Sequence, residues 1–274
     1  MRGILGLCLV LVFLCWSGEA QAGQLADRLA QFPNWTSKPP ITSDEGDLVY
    51  PKWMEGTWKV TSTLVEQVAP LAPDVVTPGF ESNRRYLDRP VDFLVRFHTV
   101  NPSQSAGLEP LILLKTQNVE PPQQLYKTSA VVADRAFNGL NIAKAYLGDR
   151  LIQSVKVDPN SPNRQITALS TGRQLISVVT GRASETPSSD RFIATEVTNQ
   201  IFRGTSQPYF NQVETTTAYQ LVRSPYLAIE ADQVTAVYLS PQDADYFNAL
   251  ERPVALYRYH LELLPIESAP PSEG

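Results

Sequence analysis

From about residue 51 to residue 266 the hydrophobic and polar positions of this chain alternate with a period of two. In the run 213–222, Val213, Thr215, Thr217, Tyr219 and Leu221 fall on one face, and Glu214, Thr216 and Gln220 on the other. In the run 254–264, Ala255, Tyr257, Tyr259, Leu261 and Leu263 oppose Arg258, His260 and Glu262. Such runs, separated by Gly, Pro, Asn and Ser, predict strands at 58–65, 92–100, 111–119, 127–133, 152–157, 165–169, 174–180, 191–202, 213–222, 233–239 and 254–264. Short strands at this spacing build an antiparallel sandwich or barrel rather than βαβ units.

Three stretches carry a helical period instead. Leu25, Leu29 and Phe32 share one face of a short amphipathic segment that Pro33 ends. Leu140, Ala143 and Leu147 do the same over 138–147, with Gly148 placed to cap the end. Over 240–250, Ser240 stands as an N-cap, with Pro241 at the first helical position and acids in the first turn. The last two read either as lids at a barrel end or as plain connectors.

Before this region the pattern is of another kind. Arg2, an apolar run from Ile4 to Trp16 and the small-x-small step Ala20-Gln21-Ala22 have the layout of a secretory signal cleaved after Ala22; an uncleaved anchor is the alternative. The expected organisation is therefore a signal peptide over 1–22, a helix and extended arm over 23–50, a β-barrel domain over 51–266 and a disordered tail over 267–274. Asn34-Trp35-Thr36 matches a glycosylation sequon. Cleavage would remove Cys8 and Cys15, the only two cysteines, leaving a chain without thiols. It would also remove Arg2 and Glu19 together, so the formal net charge stays at −5. With no long basic run, nucleic acid is not an expected partner.

Candidate chemistry is sparse. The sequence has no nucleophile elbow, no phosphate-cradling glycine loop and no paired-histidine metal motif, so no metal or nucleotide cofactor is indicated. Glu196 and Glu214 lie on strands and would form an acid-base pair if the sheet brought them together; Arg96 and His98 are the accompanying candidates. Aromatics are more informative. In a closed sheet Phe93, Phe97, Phe192, Tyr219 and Tyr238 would line either a packed core or a cavity for a small apolar ligand.

The stretch "MEGTWKVTSTL", 54–64, resembles the first strand of the calycin barrels, the lipocalins and fatty-acid-binding proteins. The resemblance implies that Gly56 and Trp58 form the Gly-x-Trp motif, with the indole across one barrel end. It also implies that Arg258, in the last strand, packs on that indole. Alternation and resemblance together give the expected architecture: a mainly β, antiparallel calycin-like β-barrel of about 8–11 strands with a few short helices. The chain as a whole, through "LVYPKWMEGTWKVTSTL", "VVADRAFNGLNIAKAYLG" and "ALYRYHLELLP", resembles a family of exported proteins of cyanobacteria and chloroplasts with no established activity. That resemblance implies a soluble protein of the thylakoid lumen or periplasm. Three functions suit it: a carrier or assembly factor binding a pigment, quinone or lipid; a solid-cored module docking on a thylakoid membrane complex; or a chromophore lyase or isomerase.

Overall fold

The computed structural model describes residues 23–42, 46–101, 129–205, 207–223 and 228–266. Its strands are β1 (Gly56–Val68), β2 (Pro90–Val100), β3 (Ala130–Ala133), β4 (Ile152–Asp158), β5 (Ser161–Leu169), β6 (Gln174–Ser188), β7 (Arg191–Arg203), β8 (Tyr209–Val222), β9 (Ala228–Leu239) and β10 (Ala255–Pro265). They form one antiparallel sheet in the order β3-β2-β1-β10-β9-β8-β7-β6-β5-β4, curled into a half-barrel. The helices are α1 (Gln24–Ala30), α2 (Phe80–Asn83), α3 (Arg135–Leu147) and α4 (Tyr246–Ala249). The strand expected at 111–119 lies outside the described residues.

The strand order has a simple logic. Every consecutive pair of strands is hydrogen-bonded except β3 and β4, and the first strand also pairs with the last. This is the connectivity of an up-and-down barrel that, among the described residues, has one seam left open. α3 joins the two strands at that seam, packing against β2 on one flank and against β4 and β5 on the other. Register shifts in β1, β4 and β6 add the local bends that let a sheet this wide curl.

α3 is fitted to the seam by three residues. The Asp134 carboxylate caps it by accepting a hydrogen bond from the Phe137 backbone N–H at 3.0 Å. Asn138 treats the free edge of β2 as a strand would: its Oδ1 accepts from the Arg96 backbone N–H at 2.6 Å and its Nδ2 donates to the Arg96 carbonyl at 3.2 Å. Gly139 allows the close approach on the other flank, where a Cβ would meet the Gln165 amide at 2.7 Å and Val155 at 3.0 Å. The third helical stretch differs from its sequence pattern. Ser240 and Pro241 form a turn, closed by the Asp243 backbone N–H on the Ser240 carbonyl at 2.9 Å, and the helix begins only after Asp245.

The two faces of the sheet bury different things. On the inner face Met54, Trp58, Val60, Phe97, Phe192 and Leu263 belong to one core cluster at one end of the curl. On the outer face α1 and Trp35 cover Ile193, Val234, Ala236 and Leu256. Two arm residues bridge the sheet: Thr42 pairs with Arg182 of β6 and Tyr50 pairs with Val131 of β3.

Candidate functional site

The Gly-x-Trp entry is a structural corner. Gly56 has φ of +130°, a region L side chains rarely adopt, and Trp58 is buried with its indole N–H donating to the Met54 carbonyl at 2.8 Å. Arg258 does not stack on Trp58. Trp58 pairs with Pro265 of β10, and Arg258 lies seven residues away, an odd number, so it projects from the opposite face. There it forms a two-pronged ion pair with Asp232 at 2.9 and 2.7 Å. An arginine-on-indole contact does exist, between Arg28 and Trp35 at 3.9 Å from the ring centroid.

The same parity separates the two glutamates. In the β7–β8 ladder Glu196 stands opposite Thr215 and Glu214 opposite Val197, so Glu196 points inward and Glu214 outward. Glu214 is fully buried beneath α1, paired with Arg28 at 2.6 and 2.7 Å and accepting from the Tyr238 hydroxyl at 2.7 Å. Burial first, and the Glu214 charge second, push the Tyr238 hydroxyl far up, so it stays a donor. Tyr238 thus belongs to this outer cluster and not to the interior expected for it. Arg96 and His98 also project outward, and Arg96 is ion-paired with the Asp134 N-cap at 2.6 Å. The sheet therefore does not assemble Glu196, Glu214, Arg96 and His98 into one site.

Phe93, Phe97, Phe192 and Tyr219 do share the inner face, with Tyr50 of the arm packed among them. Tyr50 lies 4.8 Å from Phe97, 5.6 Å from Phe192 and 6.3 Å from Tyr219, centroid to centroid. Burial raises the Tyr219 hydroxyl to about 12 and, with Tyr219 and Glu196 nearby, lifts Tyr50 well above its ordinary value. Both stay neutral. This end of the curl is a packed aromatic plug.

The space lies beside it. Between α3 and strands β5 to β8 runs a groove of about 980 Å³. Ile142, Ala143 and Leu147 line it from α3, and Leu175, Val179 and Phe202 from the sheet. Along the β6–β7 register Glu196 faces Arg182, Thr198 faces Val179, Gln200 faces Ser177 and Phe202 faces Leu175, and Arg173 and Arg203 line the groove beyond that last pair. At the Glu196 end Arg135 donates to Glu196 at 2.6 Å and to Asp47 at 2.7 Å, while Arg182 lies 3.4 Å from Glu196. Burial pulls the Arg135 guanidinium down, and Glu196 and Asp47 outweigh it, so its pKa ends above the ordinary value. Among the described residues no cluster of three or more His, Cys, Asp and Glu side chains is arranged to hold a metal ion.

The domain of unknown function DUF6816 matches residues 43–267, most of the chain. The protein belongs to the DUF6816 family. The matched span holds β1 to β10, α3 and the groove, whereas α1 and Trp35 lie before it. No curated protein and no solved structure matches the chain. Among the described residues no helix of this DUF6816 protein is long and apolar enough to cross a membrane.

Sequence reasoning passed over Arg135 and Asn163, which line the groove, and Asp47 and Arg182, which pair with Arg135 and Glu196 behind it. Arg182 had a legible signal, a charge inside the run "LISVVTGRAS", where an inward position in a curled sheet demands a partner. Arg135 had one too, following the Asp134 cap. Asn163 and Asp47 gave none.

Proposed function

We propose that this protein is a non-enzymatic binder of a small, mainly apolar molecule, held in the groove between α3 and strands β5 to β8. The observation that supports this reading is the groove itself: about 980 Å³ of space, with an apolar stretch of Ile142, Leu147, Leu175 and Phe202 between Arg135 and Glu196 at one end and Arg173 and Arg203 at the other. That volume is at the upper end of ordinary ligand pockets, roughly 300–1,000 Å³, and suits a lipid, quinone or pigment. The architecture carries out in an open form what calycin barrels do in a closed one, with α3 in place of the missing staves. The 1–22 pattern supports export, and with it a lumenal or periplasmic carrier or assembly factor.

The test is occupancy of the groove. Ala143→Trp places an indole in the space while leaving the polar end of α3 untouched, and it should reduce uptake of hexadecane by at least about tenfold with an unchanged unfolding midpoint. Equal uptake by the variant, or no uptake of hexadecane or methyl palmitate by the wild type, refutes the reading.

A further inference from the structure

The start of α1 holds a carboxylate that is only half used. Glu185 of β6 stands opposite Ile193 of β7, on the face of the sheet that α1 covers with Leu25 and Leu29. Its Oε1 accepts from the Leu25 backbone N–H at 2.8 Å, which fixes the carboxylate against the first turn of the helix. Its Oε2 is buried and has no hydrogen-bond partner. Gly23 lies against that same oxygen, so closely that a Cβ there would overlap Oε2 and the carboxylate carbon. Any larger residue would drive the carboxylate off the Leu25 N–H.

A buried carboxylate oxygen without a donor carries its full desolvation cost. The charges of α1 do not relieve it: Asp27 is itself an anion, and Arg28 is committed to Glu214. What stands beside the oxygen is Gly23, and the pattern over 1–22 puts the bond cut by a signal-type peptidase immediately before it. In that cut water adds across the Ala22–Gly23 peptide bond. The C–N bond breaks, Ala22 keeps the oxygen as a carboxylate, and the Gly23 nitrogen leaves as an amine that takes up a proton. One neutral N–H becomes an ammonium with three donors and a positive charge, the group that Oε2 lacks.

Independently of the groove, we propose that Glu185 is a built receptor for the amino terminus created between Ala22 and Gly23, its carboxylate holding the new α-ammonium. The consequence reaches beyond one ion pair. α1 carries Arg28, the counter-ion of the buried Glu214, so pinning the residue before α1 to β6 also secures that pair. Processing thereby completes the closure of the outer face, which the leader-bearing chain leaves one partner short.

Two measurements test this. The full chain, exported with its own leader from a bacterial host, should give a mature mass that starts at Gly23. Purified chains starting at a free Gly23, at an acetylated Gly23 and at Ala22 are then compared by urea unfolding. The free Gly23 chain should have a folding equilibrium about tenfold more favourable than either of the others. Glu185→Gln should reduce that advantage to less than about twofold. Acetylation removes the charge without adding a residue, so it separates an ammonium receptor from a simple lack of room for Ala22, and it does so without touching the sheet. An unprocessed chain, a mature chain starting at another residue, equal stability of the free and acetylated forms, or an advantage that survives Glu185→Gln overturns the assignment.

Discussion

Glu214 shows how much one buried charge depends on a single partner. Its carboxylate is fully buried and Arg28 is its counter-ion, with Tyr238 and Thr216 donating to the remaining lone pairs. Removing one member leaves the other charged in a dry site. Glu214→Leu should therefore cost about 3–5 kcal/mol in urea unfolding, and adding Arg28→Met should recover most of it. Arg258 is the contrasting case. Its ion pair with Asp232 is more than a third exposed on both sides, so Arg258→Ala should change stability by less than about 1 kcal/mol. It should also leave the Trp58 fluorescence unaltered, because strand parity puts the two on opposite faces. Both outcomes rest on which way a side chain points, and the sequence alone gave alternation without saying what would cover the outer face. Over Glu214 that cover is α1.

At the scale of elements, α3 decides whether there is a groove at all. Its start is held by Asp134, whose carboxyl burial pushes up while the Phe137 N–H and Arg96 pull it down further, leaving it below the ordinary 3.8. Because the folded value lies below the unfolded one, Asp134 stabilises the native state above that ordinary value. The contribution is lost as pH falls through the lower folded pKa. Asp134→Ala should cost about 1 kcal/mol near neutral pH and make the remaining stability less sensitive to acid in that window, as read from urea midpoints across pH. Asn138→Ala removes two hydrogen bonds to the edge of β2 and should cost about 1–2 kcal/mol, with faster amide exchange at Arg96. The helical period of Leu140, Ala143 and Leu147 made this helix legible in the sequence. Its role at a seam was not legible, because nothing local says that β3 and β4 fail to pair. The 240–250 stretch misled for a related reason. Its capping residues are real, but they are used for a turn, and only four residues become helix.

For the whole molecule, an open seam predicts a gradient of local stability. Strands β1, β10, β9, β8 and β7 are flanked on both sides by partners and carry most of the fully buried side chains. Their amides should exchange most slowly, while β4, an edge strand among the described residues, should exchange several-fold faster. Uniform protection across the sheet would mean that β4 has a partner the described residues do not show. Alternation and turn residues were enough to determine that this chain is a mainly β, antiparallel sheet with a helix before β4, since a period of two and a period of 3.6 are written directly in residue order. Tertiary structure alone decided where the curl stops, which face each strand turns inward and what lies against it. Those depend on contacts between residues far apart in the chain, such as Arg28 with Glu214 and Arg182 with Asn163, and no local pattern encodes them. Trp58 and its motif marked the beginning of the sheet; the groove came from β3 and β4 standing apart with α3 between them.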